Sequence, residues 1–256
     1  MNAAARLALA FLLAASGALA QAPQAPVFEP EFGQEGKDVV WVPTSDALVE
    51  KMLDMARVTS KDFVMDLGSG DGRTVIAAAK RGARALGIEY EADLVELSRV
   101  NAARADVAVR AEFRKADLFE TDLSEATVIT MFLLPSINVR LRPTILELKP
   151  GTRIVSNTFG MDEWMPDETA TLASATGCDS WCTAHLWIVP AKVAGKQALP
   201  IGELELKQTF QMLSGTLRAG GTNYVLEGRV RGEDIVFRAG GKEYRGRMSG
   251  GKLELR

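Results

Sequence analysis

The spacing of hydrophobic positions changes along the chain, and the changes mark its elements. Leu48, Val49, Met52, Leu53 and Ala56 recur three and four residues apart. That is one face of a helix, which predicts a helix over residues 44–58 with Thr44 or Ser45 as N-cap. DFVMDLG follows, a short apolar run ending in a glycine-rich loop, and reads as a buried strand. TVIAAAKRGA returns to helical spacing, ARALGIEY reads as a second strand and EADLVELSRVNAARA as another helix. AEFRKADLF, ATVITMFLLP and GTRIVSNTF supply a third, fourth and fifth strand. SINVRLRPTILELKPG is helical, with a break or restart expected at Pro143. Beyond Phe159 the pattern is less regular, although WCTAHLWIVPAKV has the look of a further strand. Strands alternating with helices at these intervals predict right-handed βαβ units around a parallel sheet.

Near Ala194 the texture changes. Gly-Gly pairs at 220–221, 240–241 and 250–251 punctuate short alternating runs, and a weak echo of Gly-x-apolar-polar recurs at Gly215, Gly228 and Gly246. This predicts a small antiparallel meander of five or six strands. Its expected role is a structural layer on the larger unit, with substrate docking as the sharper alternative. At the other end, Arg6 precedes an apolar run from Leu7 to about Ala20, and Ala18, Leu19 and Ala20 fit a small-x-small cleavage pattern. This reads as an export signal, shorter than the roughly 20 residues of a membrane span. The expected division is a signal peptide at 1–20, a Pro/Gln/Glu-rich linker at 21–38, a cofactor-binding domain at 39–194 and a β-rich domain at 195–256. The mature chain should then be periplasmic or secreted without a transmembrane span, or cytoplasmic if the start codon is misassigned.

Composition adds exclusions. Of 256 residues, 47% are apolar and 25% charged, with a net charge of −3. Nothing here advertises a nucleic-acid partner. Cys178 and Cys182 are the only cysteines and His185 the only histidine, too few ligands for a zinc site. In an exported chain the two cysteines are expected to form a local disulfide.

The chemistry concentrates in DLGSGDGRTVI, residues 66–76. Glycines at the end of a strand admit positive φ and leave no Cβ between backbone and ligand. A dinucleotide loop requires G-x-G-x-x-G with a pyrophosphate at the helix N-terminus. Here Gly68, Gly70 and Gly72 alternate around Ser69 and the third dinucleotide glycine is missing. Asp66 would also crowd a phosphate. A carboxylate suits a cation, and S-adenosylmethionine carries an ammonium and a sulfonium but no phosphate. Glu89 ends the second strand, where an acid can accept the ribose hydroxyls. Asp117 follows the third and could hold the adenine amino group, with Leu118 or Phe119 against the ring and Tyr90 as a stacking candidate. Three acids at the C-terminal ends of successive strands occupy the edge where open α/β sheets bind ligands.

These residues resemble a family. VMDLGSGDGR, GIEYEADLV, ADLF and the LKPG before the fifth strand resemble class I S-adenosylmethionine (SAM)-dependent methyltransferases over about residues 40–190. WVPTSDALVEKML, TMFLLPSINVRLRP and DEWMPDE resemble the branch holding archaeal broad-specificity protein lysine methyltransferases and the mitochondrial ATP synthase c-subunit lysine methyltransferase. The resemblance implies a seven-stranded, Rossmann-like SAM-binding sheet flanked by helices. It implies cofactor contacts from Pro43, Thr44, Asp66, Gly68, Gly70, Glu89 and Asp117, and an acceptor pocket beside Phe132, Leu133, Leu134 and Pro135. The export signal and the C-terminal β segment depart from the branch.

Methyl transfer from a sulfonium is an in-line displacement with a neutral leaving group. Alignment can supply up to ~7–11 kcal/mol. A lysine acceptor, with a solution pKa near ~10.4, must arrive neutral, and desolvation in an apolar pocket favours that form. Asn138 and Asn157 are candidate polar partners, and His185 a weak candidate base. The expected activity is methylation of a protein amino group. A small-molecule methyltransferase, or a cell-envelope protein that binds SAM without turnover, are the alternatives, and an NAD-dependent oxidoreductase is disfavoured by the loop.

Overall fold

In the computed structural model residues 28–37 and 39–256 are described. The export signal and the first part of the expected linker lie outside them. Helix α1 (Asp46–Met55) opens on Ser45, whose Oγ accepts the Leu48 N–H at 3.3 Å, and buries the predicted face. Then come β1 (Phe63–Leu67), α2 (Arg73–Lys80), β2 (Arg84–Glu89), α3 (Ala92–Arg104), β3 (Ala111–Lys115), β4 (Val128–Met131), α4 (Pro135–Leu146) and β5 (Arg153–Asn157). β6 (Glu168–Thr171) and β7 (Thr183–Ile188) complete a seven-stranded sheet in the order β3-β2-β1-β4-β5-β7-β6. The first five strands are parallel, and β7 runs antiparallel to β5 and to β6. The strand order reverses between β1 and β4, and a crevice opens there at the C-terminal strand ends.

Three expectations change. Pro143 lies inside α4 without breaking it. It forfeits one backbone hydrogen bond, but Leu141 and Ile145 are buried on either side of it and hold the helix to the core. β6 escaped notice because Glu-Thr-Ala-Thr carries no apolar alternation. The residues expected as linker up to 38 are in part folded: Gly33 N–H donates to Trp41 O at 2.9 Å and Trp41 N–H to Gln34 O at 2.8 Å, turning the segment back over the crevice.

The C-terminal meander has seven strands rather than five or six: β8 (Gly195–Leu199), β9 (Gly202–Thr209), β10 (Met212–Ala219), β11 (Thr222–Arg231), β12 (Asp234–Ala239), β13 (Lys242–Ser249) and β14 (Lys252–Leu255). Its turns at Pro200-Ile201, Phe210-Gln211 and Gly232-Glu233 lack the Gly-Gly pair that marks the other three. β14 comes back beside β8 without pairing to it, so the sheet curls into an open barrel around Leu204, Leu217, Leu226, Val230, Ile235 and Phe237. The barrel docks at the N-terminal edge of β5, opposite the crevice, through Ala191 N–H to Gly232 O at 2.7 Å. Phe210, in the left-handed region at φ 52°, stacks on buried Trp164 at 6.0 Å. Arg229 and Arg231 pair with Asp167 and Glu168. No described helix is long and apolar enough to cross a membrane.

Candidate active site

The crevice is floored by the loop after β1. Gly68 and Gly70 have φ of 75° and 55°. A Cβ on Gly68 would meet Leu133 Cδ2 at 3.1 Å, and one on Gly70 would meet Trp41 Nε1 at 3.0 Å. Both glycines keep the cleft open. Gly72 does something else. It precedes α2 at φ 83°, and a Cβ there would strike Phe113 at 2.8 Å and Ser98 at 2.9 Å. It lets α2 pack on β3 and α3, and it is not among the residues lining the cleft, unlike the other residues expected to touch the cofactor.

The acids converge as expected. Asp66 is buried and accepts the Thr130 hydroxyl at 2.6 Å. Burial pushes its carboxyl up to about 7, against the pull of the Thr130 hydrogen bond and with a further push from Glu89 and Asp71. A cation placed beside it would reverse that shift. Glu89 Oε2 accepts Gly70 N–H at 2.9 Å, and its Oε1 accepts the N–H groups of Tyr90 and Glu91 at 2.7 and 3.0 Å. This fixes the carboxylate and leaves Oε2 acceptor capacity for a hydroxyl. Asp117 Oδ1 accepts Phe119 N–H at 2.9 Å while Lys37 Nζ meets Oδ2 at 2.6 Å. The Lys37 hydrogen bond holds Asp117 below the usual carboxylate range. Lys37 also lies 4.2 Å from the Tyr90 ring centre. Pro43, Thr44, Ser69, Tyr90 and Leu118 line the same cleft. Ser69 Oγ is buried there without a hydrogen-bond partner.

Several site residues were not foreseen. Gln34, Glu35 and Trp41 roof the cleft, and Asp71 and Arg73 wall it. Arg73 forks onto the Asp71 carboxylate at 3.0 and 2.6 Å and donates from Nη1 to Thr44 O at 2.9 Å. The glycine loop and the V-P-T segment are thereby clipped together. No local pattern in the sequence signals this contact, because Thr44 and Arg73 lie 29 residues apart. Asn157 Nδ2 donates to Thr44 Oγ1 at 3.1 Å and so secures the same segment. Asn138 Nδ2 reaches Phe159 O and Gly160 O at 3.1 and 3.2 Å, ordering the loop after β5. Neither asparagine lines the cleft, and His185 does not either. The histidine's two ring nitrogens meet Thr169 Oγ1 and Thr158 O at 2.9 and 3.1 Å.

A second cavity adjoins the first. Phe132 and Leu133 line both. Leu134 lines only the second, and Pro135, the first residue of α4, lines neither. Phe159 stacks on Phe132 at 5.9 Å, and Trp181 lies 6.0 Å from Phe132. Cys178 and Cys182 are bonded to each other.

The chain is similar to known proteins. A family model described as the ANTKMT methyltransferase domain matches residues 66–168. A protein-lysine N-methyltransferase of Saccharolobus islandicus (strain REY15A) is 44% identical over 133 residues, which are 51% of this chain and 83% of that protein. The chain belongs to the ANTKMT methyltransferase family. The mouse ATP synthase c-subunit lysine N-methyltransferase is 38% identical, over 50% of this chain and 52% of its own length, so the match spans about half of that relative. A crystal structure described as an RNA methyltransferase from Salinibacter ruber, in complex with S-adenosyl-L-homocysteine, is 49% identical. It superposes with a TM-score of 0.55 over 59% of this chain and 96% of that one. The chain is a SAM-dependent methyltransferase. The cleft fits that cofactor: a buried carboxyl suited to a cation, an unpartnered Ser69 hydroxyl and glycines whose Cβ atoms would close it. SAM brings to the site an electrophilic methyl on sulfur and a neutral leaving group.

Proposed function

We propose that this methyltransferase modifies lysine side chains of proteins outside the cytoplasm. The observation that carries the acceptor is the second cavity: Val40, Phe132, Leu134, Phe159 and Trp181 make it apolar, and Glu35 is the acid on its lining. An amine entering it loses water, which favours the neutral, nucleophilic form, while Glu35 stands where an approaching ammonium is attracted. Asp66 and Glu89 would hold the cofactor's cationic and ribose ends, Asp117 and Tyr90 its base. Phe132 and Leu133, common to both cavities, orient the amine and exclude water. No general base is needed in contact with the amine, because its proton can leave to solvent before transfer. The names of the archaeal and mouse relatives agree with this acceptor. The Salinibacter relative is named for RNA, but Lys37 is the one basic residue among those lining the second cavity, and RNA binding draws on a positively charged groove.

Incubating the purified protein with labelled SAM and a cell-envelope extract tests the acceptor. Protease-sensitive label that mass spectrometry places on lysine is expected, and RNase-sensitive label would refute the reading. Export rests on the apolar N-terminal run and on the Cys178–Cys182 bridge, since disulfides persist in oxidising compartments. A reporter fused at residue 40 should be active in the periplasm; activity confined to the cytoplasm would exclude it.

A further inference from the structure

Trp181 lines the second cavity, but its backbone and its place in a disulfide loop are not required for methyl transfer. It occupies the loop closed by the Cys178–Cys182 disulfide, at φ 53°, a left-handed backbone that a tryptophan rarely adopts unaided. The loop is anchored on one side: Cys178 is fully buried and packs in the core with α1 and α2. Trp181 itself is 41% exposed and faces Phe132 at 6.0 Å and Phe32 at 6.4 Å. Phe132 in turn stacks on Phe159. The four rings form a continuous aromatic series from the surface through the loop after β4 to the loop after β5. Of the large apolar side chains exposed among the described residues, Phe32 (68%), Val40 (55%), Leu134 (42%) and Trp181 gather around this one opening. An apolar rim continuous with a catalytic cleft is a binding surface rather than a random exposure.

We infer that Trp181, fixed by the disulfide, is the outer wall of the acceptor channel, and that it selects lysines flanked by apolar residues in the acceptor polypeptide. The inference rests on the lysine reading above and deepens it. The aromatic faces attract the ammonium, and more strongly as methyl groups displace its water. The apolar rim takes up the flanking side chains, and Glu35 steers the charge. Cys178 and Cys182 act through Trp181 and are positioning residues. Reduction by a dithiol breaks the S–S bond with two electrons and two protons, gives two thiols and an oxidised dithiol, and frees Trp181 from its strained backbone.

The test uses the whole protein, SAM and two lysine peptides, one with leucine and phenylalanine flanking the lysine and one with serine and glutamate. The wild type should prefer the first. Trp181→Ala should raise KM for it about 2- to 30-fold, the range of one aromatic–cation contact, with a smaller change in kcat. Trp181→Phe should recover most of the loss. Paired Cys178→Ser and Cys182→Ser, or dithiol treatment reversed by reoxidation, should move KM the same way. S-adenosylhomocysteine affinity, measured by calorimetry, should hold throughout and reports that each variant is folded. If the tryptophan and cysteine variants match the wild type on the apolar peptide, or if the wild type does not discriminate, this inference falls while lysine methylation stands. If the wild type binds S-adenosylhomocysteine but methylates neither peptide, both fall.

Discussion

The two sheets of this molecule use opposite strategies. In the first, strands such as β1 are buried nearly end to end, and the chemistry gathers at the strand ends and loops of one edge. In the second, β9 and β13 alternate buried and exposed positions, charged residues face water and two-residue turns join the strands. Its interior is filled by its own apolar core. The first sheet tolerates a buried acid at Asp66 because a ligand can answer it. The second places Arg238, Arg245 and Arg247 outside, each against a glutamate, where ion pairs add little. A parallel sheet gathers loops from distant parts of the chain at one edge, whereas a meander returns each strand beside its neighbour and gathers none.

Breaking the cofactor edge should give the largest effect. Asp66→Asn keeps an acceptor for Thr130 but removes the charge, and SAM affinity should fall by roughly two orders of magnitude, in the range for losing one partner of a buried charge pair. Calorimetry measures it, and a change below tenfold would mean that Asp66 does not hold the cation. The pH dependence has a definite sign. With the folded carboxyl at about 7, Asp66 is neutral in acid, so SAM affinity should rise with pH through about 7 and then level off. The substituted protein should show a flatter profile. Stability of the ligand-free protein runs the other way: a raised acid pKa contributes stability below the unfolded value near ~3.9 that is lost as pH rises through about 7. Asp66→Asn should therefore raise the melting temperature at pH 8, and bound cofactor should narrow the gap.

Striking the barrel should leave binding alone. Leu226→Ala opens a cavity at a fully buried position and should cost about 2–5 kcal/mol in denaturant unfolding. At permissive temperature SAM affinity should stay within about threefold of wild type, given that mutations more than ~7–10 Å apart act independently. A large loss of affinity would tie the barrel to the cleft. Arg73→Met tests the clip between loop and V-P-T segment. Removing charge-assisted hydrogen bonds at ~1.5–3 kcal/mol each should weaken SAM about 10- to 100-fold if the clip preorganises the cleft, with little change in kcat at saturation. Smallest is Arg231→Ala, which loosens the join between the units by about 1 kcal/mol, since Arg231 and Glu168 form a partly exposed ion pair, and should lower the melting temperature without touching activity.

Much of this architecture follows from local pattern. Leu48 to Ala56, DFVMDLG and ARALGIEY each carry their period in consecutive residues, so element types, the βαβ order and the three acids at successive strand ends were readable. Where the signal was weak the reading slipped. β6 has no apolar alternation, the turn at Phe210 uses a residue no turn rule favours, and Pro143 sits in α4 because burial outweighs its missing donor.

The sequence alone determined that a glycine turn with flanking acids ends a buried strand, because backbone freedom and hydrophobic period are properties of neighbouring residues. Only the tertiary structure decided that Arg73 grips Thr44, that Gln34, Glu35 and Trp41 roof the cleft, that Gly72 packs against Phe113 and Ser98, and that Trp181 faces Phe132. Each of these is a contact between segments far apart in the chain or a choice of which side a residue faces. Such contacts depend on how the layers dock, which is fixed by the volume and shape of the whole core and not by any single stretch.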